Sequence, residues 1–347
     1  MSETLIGLVS QYSPSGQERG AVEWLVTRMK SVGYDDAFID EAGNAVGVMG
    51  KGTKQLVLLG HIDTVPGEIP VRVEDGILYA RGAVDAKGPL ASFADAVAMA
   101  GAKEDWQFIV IGAVEEERDS EGARFVVHQY KPDFAIIGEP NQWDRIALGY
   151  KGSAWAHITV KRGQAHTASG EETAAEAAVD IWLKVKSYVD SFNADRQKVF
   201  DKLLLTLRGM ESDSNDFEQW AKLKVGVRLP ADISPEDWYQ TLEALAGKEN
   251  VERIGFPVPA WGCEKNTPLV RAFLSGIRSL GGEPRFVYKT GTADLNIVAP
   301  VWKCPAVVYG PGDSSLDHTP DEHIRLDDYN KAVDVLVAAL QKLTASQ

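Results

Sequence analysis

LVLLGHIDTVPG, residues 56–67, decides how this chain is read. Four apolar residues in a row, with no polar alternation, describe a strand covered on both faces, as in sheets with parallel strands flanked by helices. Polar chemistry then arrives abruptly: His61 and Asp63 stand at the carboxyl end of the run, where open α/β sheets build their sites. The pattern recurs in WQFIVIGAV (106–114), which runs into Glu115, Glu116 and Glu117, and in DFAIIGEP (133–140), which ends on Glu139. GPLASFADAVAMAGA (88–102) and SEGARFVVHQY (120–130) between them have helical spacing. Upstream, SPSGQERGAVEWLVTRMKSVGY (13–34) reads as a helix capped by Ser13 or Ser15, and NAVGVMG (44–50) as a strand. This alternation predicts an α/β domain whose sheet lies between helices.

After Gly149 the pattern changes. GSAWAHITVKRG (152–163) alternates like a half-buried strand and precedes a long helical pattern, EETAAEAAVDIWLKVKSYVDSF (171–192). Strand-like KLLLTLRGM and AKLKVGVRLP, helical SPEDWYQTLEALAG and strand-like VERIGFPVPAW complete a block that predicts a small inserted α+β sandwich. From Cys263 the α/β pattern resumes with helix TPLVRAFLSGIRSLGG, strands PRFVYKTG and PAVVYGPG, and helix LDDYNKAVDVLVAALQKL. The expected domains are therefore 1–150 with 263–347, and 151–262.

At 347 residues the chain suits two cores rather than one. Its net charge of −14 gives no long-range attraction for phosphate backbones or anionic lipid, so neither nucleic acid nor membrane is an expected partner. No basic-then-apolar leader opens the sequence and no run nears the ~20 apolar residues of a membrane span, so a cytoplasmic location is expected. Two cysteines, Cys263 and Cys304, make neither a disulfide framework nor a CxxC metal site and read as reduced thiols.

His61 can ligate a metal through one ring nitrogen while Asp63 fixes the tautomer through the other. In YARGAVDAKGPL (79–90), Asp85 lies between a glycine turn and a helix, where a carboxylate can bridge two metals; the alternative is that it caps the helix and pairs with Lys87. Three adjacent acids after a buried strand need positive charge nearby, which a metal supplies; one can then be a ligand and its neighbour a general base. Glu139 ends a fourth element, and VVYGPGDSSLDHTPDEHI (307–324) brings His318 after a Gly/Pro loop. Together they predict a dinuclear metal site.

These residues resemble the M20 family of zinc-dependent peptidases and amidohydrolases. The resemblance is carried by SPSGQE, GHIDTVPG, LYARGAVDAKGPLA, EEE, GEP, GTADLN and DHTPDEH. It implies a zinc-peptidase-like catalytic domain with an inserted, ferredoxin-like dimerisation lid, a homodimer, and two zinc ions for which cobalt can substitute. By position, His61 and Glu139 hold one zinc, Glu117 and His318 the other, Asp85 bridges them and Asp63 orients His61. Glu116 is then the general base; a slip of one residue would make Glu115 the base and Glu116 the ligand. Ala80 stands where the family usually has a glycine. In the lid, His166 in GQAHTAS corresponds to a histidine that crosses the dimer interface to stabilise the oxyanion. Arg228 in VGVRLP corresponds to the arginine for the substrate carboxylate, and Lys289, Gly291 and Thr292, with Asp294 and Asn296, to residues lining the site.

Within the family, the stretch from GHIDTVPG to GPLASF is most similar to hydrolases of lysine biosynthesis that release lysine, and sometimes ornithine in arginine biosynthesis, from a small acidic amino-group carrier protein. That group is also described as acetyl-lysine deacetylases, so a small N-acyl amino acid is the other expected substrate. An acidic carrier meeting an acidic enzyme suggests a local basic patch at Lys151 or at KRG (161–163). Acetylornithine deacetylation, succinyl-diaminopimelate hydrolysis and dipeptide cleavage use the same chemistry and stay open. The alternative of another class is a metal-containing binding protein without catalysis, which would have no use for a general base.

Overall fold

A computed structural model describes residues 2–345. The chain divides into two compact units: one runs to Gly149 and takes up Cys263–Tyr288 and the chain from Ala293 onward, and the other comprises Tyr150–Gly262 with Lys289–Thr292. The return of those four residues to the second unit departs from the boundaries read in the sequence.

The first unit is built on a mixed sheet. Its strands lie in the order Asp36–Ile39, Ala45–Met49, Trp106–Ala113, Lys54–His61, Phe134–Gly138, Ala306–Val308 and Arg145–Tyr150, with Arg285–Lys289 paired to the last. Lys54–His61 is central and parallel to both neighbours, with Gly60 opposite Gly112 on one side and Gly138 on the other. The three apolar runs therefore end at one level, which brings His61, the acids after Val114, and Glu139 to one edge. Glycines are needed there: a Cβ on Gly138 would stand 2.8 Å from Phe93 Cε2 and 3.1 Å from Gly60 Cα. Phe93 belongs to helix Lys87–Ala100, buried almost throughout, which packs on the Lys54–His61 strand and on helix Leu326–Ala345. Antiparallel pairs flank the parallel centre, Ala45–Met49 against Trp106–Ala113 and Arg145–Tyr150 against Ala306–Val308.

Several elements differ from the reading of the sequence. Helix Arg19–Ser31 starts later than Ser13 and Ser15, and Glu18 at its N-cap makes no side-chain cap bond. The two serines serve the sheet edge instead: Ser13 Oγ donates to Ile62 O at 2.8 Å and Ser15 Oγ to Asp63 Oδ2 at 2.6 Å. A parallel bridge between Pro14 and Thr64 holds the segments together. Helix Leu295–Trp302, which contains Pro300, has no counterpart in the sequence reading, nor has a three-stranded sheet of Arg72–Glu74, Ile77–Tyr79 and His323–Arg325. Those three-residue strands are too short for alternation to show.

The second unit is a four-stranded antiparallel sheet, ordered Leu204–Ser214, Glu218–Leu229, Gly152–Gly163 and Val251–Val258. Alternate residues Ala154, Ala156, Ile158, Val160, Leu223, Val225 and Val227 are buried in one core with helices Ala174–Asn193 and Pro235–Ala246. Each helix begins with a capping box, Thr173 with Glu176 and Ser234 with Asp237. Among the described residues no helix is long and apolar enough to cross a membrane.

Candidate metal centre

His61 is the last residue of its strand and fully buried, and its ring is fixed from both sides. Nδ1 lies 3.0 Å from Asp63 O and 3.4 Å from Asp63 Oδ1, so Nδ1 carries a hydrogen toward Asp63 and Nε2 is the ring atom turned toward Asp85. Nε2 faces Asp85 Oδ1 at 3.2 Å. The other oxygen of Asp85 lies 3.0 Å from His318 Nε2, which also meets Glu117 Oε1 at 2.9 Å. One carboxylate thus offers a separate oxygen to each of two imidazoles. The ligand atoms of His61, Asp85 and Glu117 all lie within 4.8 Å of one another.

Asp63 does more than orient His61. Its buried carboxylate accepts Glu116 N–H on Oδ1 and Glu117 N–H on Oδ2, both at 3.1 Å, besides the Ser15 hydroxyl. Burial would lift its pKa, but the hydrogen bonds with His61, Ser15 and Glu117 N–H hold it below the usual carboxylate range. These bonds also separate the three consecutive acids. Glu115 adopts a left-handed backbone (φ 61°) and turns its carboxylate to Arg118 at 3.2 Å. Glu117 reaches His318. Glu116 is half-buried, and desolvation first, then Glu139, Asp294 and Glu117, push its pKa well up against the pull of His61.

Glu139 is buried at its strand end, and burial together with Asp85, Asp294 and Asp317 raises its pKa well above the ordinary value. Asp85 is opposite in sense: burial resists ionisation, yet hydrogen bonds from His318 and His61 keep it strongly acidic. The same two carboxylates, Asp85 and Glu117, lift His318 to about 10. So much anionic charge around two imidazoles is an environment that favours a cation. Imidazole nitrogens and carboxylate oxygens are the donor set of zinc and related divalent ions, so a divalent metal fits the residues present.

The alternative role for Asp85 does not hold. Ala86 is the N-cap of helix Lys87–Ala100, with no side-chain cap bond, and the fully buried Lys87 donates from Nζ to Gln11 O at 2.6 Å. Burial lowers Lys87 to about 7, with Asp63 and Glu322 resisting. Glu322 was not singled out in the sequence, where it sits in an acidic loop; it is fully buried and accepts N–H groups from Val84 and Asp85 at 2.9 and 3.0 Å. Asp294 is buried near His61, Asp63 and Glu116, and burial lifts it to about 7. Asn296 Oδ1 accepts from Ala293 N–H at 2.9 Å.

All five expected ligands belong to the first unit, whereas His166, Arg228, Lys289, Gly291 and Thr292 belong to the second. His166 is exposed, its Nδ1 accepting Ala168 N–H at 3.1 Å. Arg228 Nη1 donates to Thr292 Oγ1 at 3.0 Å, Lys289 O accepts Lys151 N–H, and Gly291 has open space beside its Cα. The suggested basic patch is not formed by the residues expected to make it. Lys161 pairs with Glu218 at 3.2 Å, Arg162 with Glu172 at 3.3 Å, and the buried Lys151 donates to the carbonyls of Phe200 and Lys202.

Comparison with known proteins agrees with this geometry. The model of Peptidase family M20/M25/M40 matches residues 57–342. A LysW-lysine hydrolase of Deinococcus radiodurans is 42% identical over 348 residues, covering 96% of this chain and 94% of that protein. A Thermococcus kodakarensis protein provisionally named LysW-lysine/LysW-ornithine hydrolase is 41% identical, covering 99% and 92%. Among solved structures, the M20 family metallo-carboxypeptidase Sso-CP2 of Sulfolobus solfataricus shares the fold with a TM-score of 0.78 at 18% identity, covering 99% of this chain and 100% of that one.

Proposed function

The chain belongs to peptidase family M20/M25/M40, and on that premise we propose that it hydrolyses the amide joining the α-amino group of lysine, and of ornithine as a second substrate, to the C-terminal glutamate side chain of an amino-group carrier protein. The observation that carries the proposal is Asp85 divided between His61 and His318, with the half-buried Glu116 in electrostatic reach of His61. The similarity to a LysW-lysine hydrolase over nearly the full length of both chains supports the substrate.

In this reading two zinc ions, replaceable by cobalt, would be held by His61, Asp85, Glu117, Glu139 and His318. Bound zinc supplies a lowered pKa for water and polarisation of the amide carbonyl. Glu116 is the base: it accepts the proton of the attacking water as the C–O bond forms and gives it to the leaving amine as the C–N bond breaks. Its desolvation makes the carboxyl reluctant to ionise and raises its proton affinity above that of an ordinary carboxylate. Glu115, turned to Arg118, is free of that task. Asp63 keeps the His61 tautomer. From the second unit we assign His166 to the developing oxyanion, supplied by the other copy of a homodimer, and Arg228 to the substrate carboxylate, which its planar fork suits. Lys289, Gly291 and Thr292 line the same region. We place the enzyme in the cytoplasm.

The test is release of free amino acid from carrier-linked lysine, carrier-linked ornithine, Nα-acetyl-lysine and Nα-acetyl-ornithine, by chelated protein before and after zinc or cobalt is restored. Metal-dependent release chiefly from the carrier is the expected result. Cleavage of the acetyl amino acids alone would move the function to deacylation, and no release from any of the four would sink the proposal.

A further inference from the structure

We propose that Glu322 is a positioning residue for Asp85, locking the turn that carries the shared carboxylate to the loop that carries His318. The proposal rests on the two-metal reading above. Asp85 lies between strand Ile77–Tyr79 and helix Lys87–Ala100, in a turn whose backbone N–H groups have no regular strand partner. Oε1 of Glu322 accepts two of them, from Val84 at 2.9 Å and from Asp85 itself at 3.0 Å. The other oxygen takes Arg81 Nη1 at 2.7 Å, and Arg81 Nε donates to Gly67 O at 2.9 Å. Glu322 is wholly buried and Arg81 nearly so, so the carboxylate binds the turn without adding uncompensated charge beside an already anionic centre.

The strand that follows Glu322 fixes its height. His323–Arg325 pairs with Ile77–Tyr79, His323 opposite Tyr79, which sets Glu322 against the start of the turn. Four residues earlier, His318 reaches the Asp85 carboxylate. One short loop therefore grips Asp85 twice, by main chain through Glu322 and by side chain through His318. A carboxylate that must present one oxygen to each of two ions about 3.5 to 4 Å apart tolerates little tilt. The Glu322 bonds restrict that tilt.

The experiment measures zinc uptake by the metal-free full chain through competition with a chromophoric chelator, and the absorption spectrum of the cobalt-loaded protein. Glu322→Ala removes the acceptor for both N–H groups and is expected to weaken binding of at least one ion by about 10- to 100-fold, with an altered cobalt spectrum. Glu322→Gln keeps a carbonyl oxygen for those groups but turns an NH2 toward Arg81, so a loss of metal affinity smaller than the alanine variant's is expected, together with lower stability. Glu322→Asp keeps the charge for Arg81 but is too short to hold both; should the alanine variant not fold, a loss of about tenfold here is the expected result. Asp95→Asn, in the separate buried cluster with Thr4 and Tyr329, controls for a general loss of stability and should leave metal affinity unchanged. If wild type takes up two ions and Glu322→Ala, or Glu322→Asp in its stead, takes up two with the same affinity and spectrum, the positioning role is overturned. Uptake of fewer than two ions by wild type overturns the two-metal reading and this proposal with it.

Discussion

Asp63→Asn is the substitution from which most can be learned, because it keeps the size of the side chain and removes one acceptor. The carboxylate now serves Ser15 Oγ at 2.6 Å and Glu117 N at 3.1 Å through Oδ2, and Glu116 N at 3.1 Å through Oδ1, which also lies 3.4 Å from His61 Nδ1. An amide has one oxygen. In its better orientation it keeps the Ser15 and Glu117 bonds and turns an NH2 group toward Glu116 N–H and His61 Nδ1–H. One charge-assisted bond is lost, about 1.5–3 kcal/mol, before any donor-against-donor penalty is counted. Since about 1.4 kcal/mol is a factor of ten, zinc affinity and hydrolysis should each fall by roughly 10- to 150-fold. The assay is chelator competition for zinc beside the amino-acid release assay, with thermal unfolding of the metal-free protein as the control. A variant within twofold of wild type in both affinity and turnover would refute the reasoning, and so would a loss confined to thermal stability.

Other expectations follow from the same geometry. Glu116→Gln should lower turnover by about 10²- to 10⁴-fold while leaving metal content unchanged, as measured by kinetics and elemental analysis; near-normal turnover would remove Glu116 from the role of base, and loss of metal would point to the register in which Glu115 is the base and Glu116 a ligand. Gly138→Ala presses a methyl group against Phe93 and Gly60 and should destabilise the first unit by about 1–3 kcal/mol in denaturant unfolding; an unchanged midpoint would contradict the close packing. Burial pushes Cys263 up to about 12 and Cys304 to about 11. The thiolate is the reactive form, so labelling by a disulfide reagent should be slow at pH 7 and rise about tenfold per pH unit up to pH 10; a plateau near pH 9 would show ordinary thiols.

The sequence made the centre of the first unit readable because burial on both faces leaves a local mark: LVLL, FIVI and AII each run into a glycine, with a polar residue next after LVLL and AII and three positions on after FIVI. His61 and Glu139 could be named from those endings, whereas the choice of Glu117 among three adjacent acids rested on the family resemblance. The edges were less legible. Arg72–Glu74, Ile77–Tyr79 and His323–Arg325 are three-residue strands, and Pro300 disguises helix Leu295–Trp302. Ser15 looked like a helix cap because local spacing cannot say that its hydroxyl reaches Asp63, 48 residues away. Glu322 resembled any loop acid, since what distinguishes it is a pair of N–H groups more than 230 residues earlier. The left-handed turn at Glu115, which parts three identical side chains, leaves no trace in composition.

The grip of Glu322 on Asp85 also orders events in time. The two residues are separated by 237 positions, and at a synthesis rate of roughly 5–20 residues per second the later one emerges about 12 to 47 seconds after the earlier. During that interval a nascent chain exposes His61, Glu117 and Glu139 while the aspartate between them has neither His318 nor Glu322 to hold it. An ion captured on the ribosome would meet an unfinished ligand set with little power to discriminate among metals. On the two-metal reading proposed above, the ligand set is complete only once the segment carrying His318 and Glu322 has folded back onto Asp85, so metal loading is expected to follow synthesis rather than accompany it.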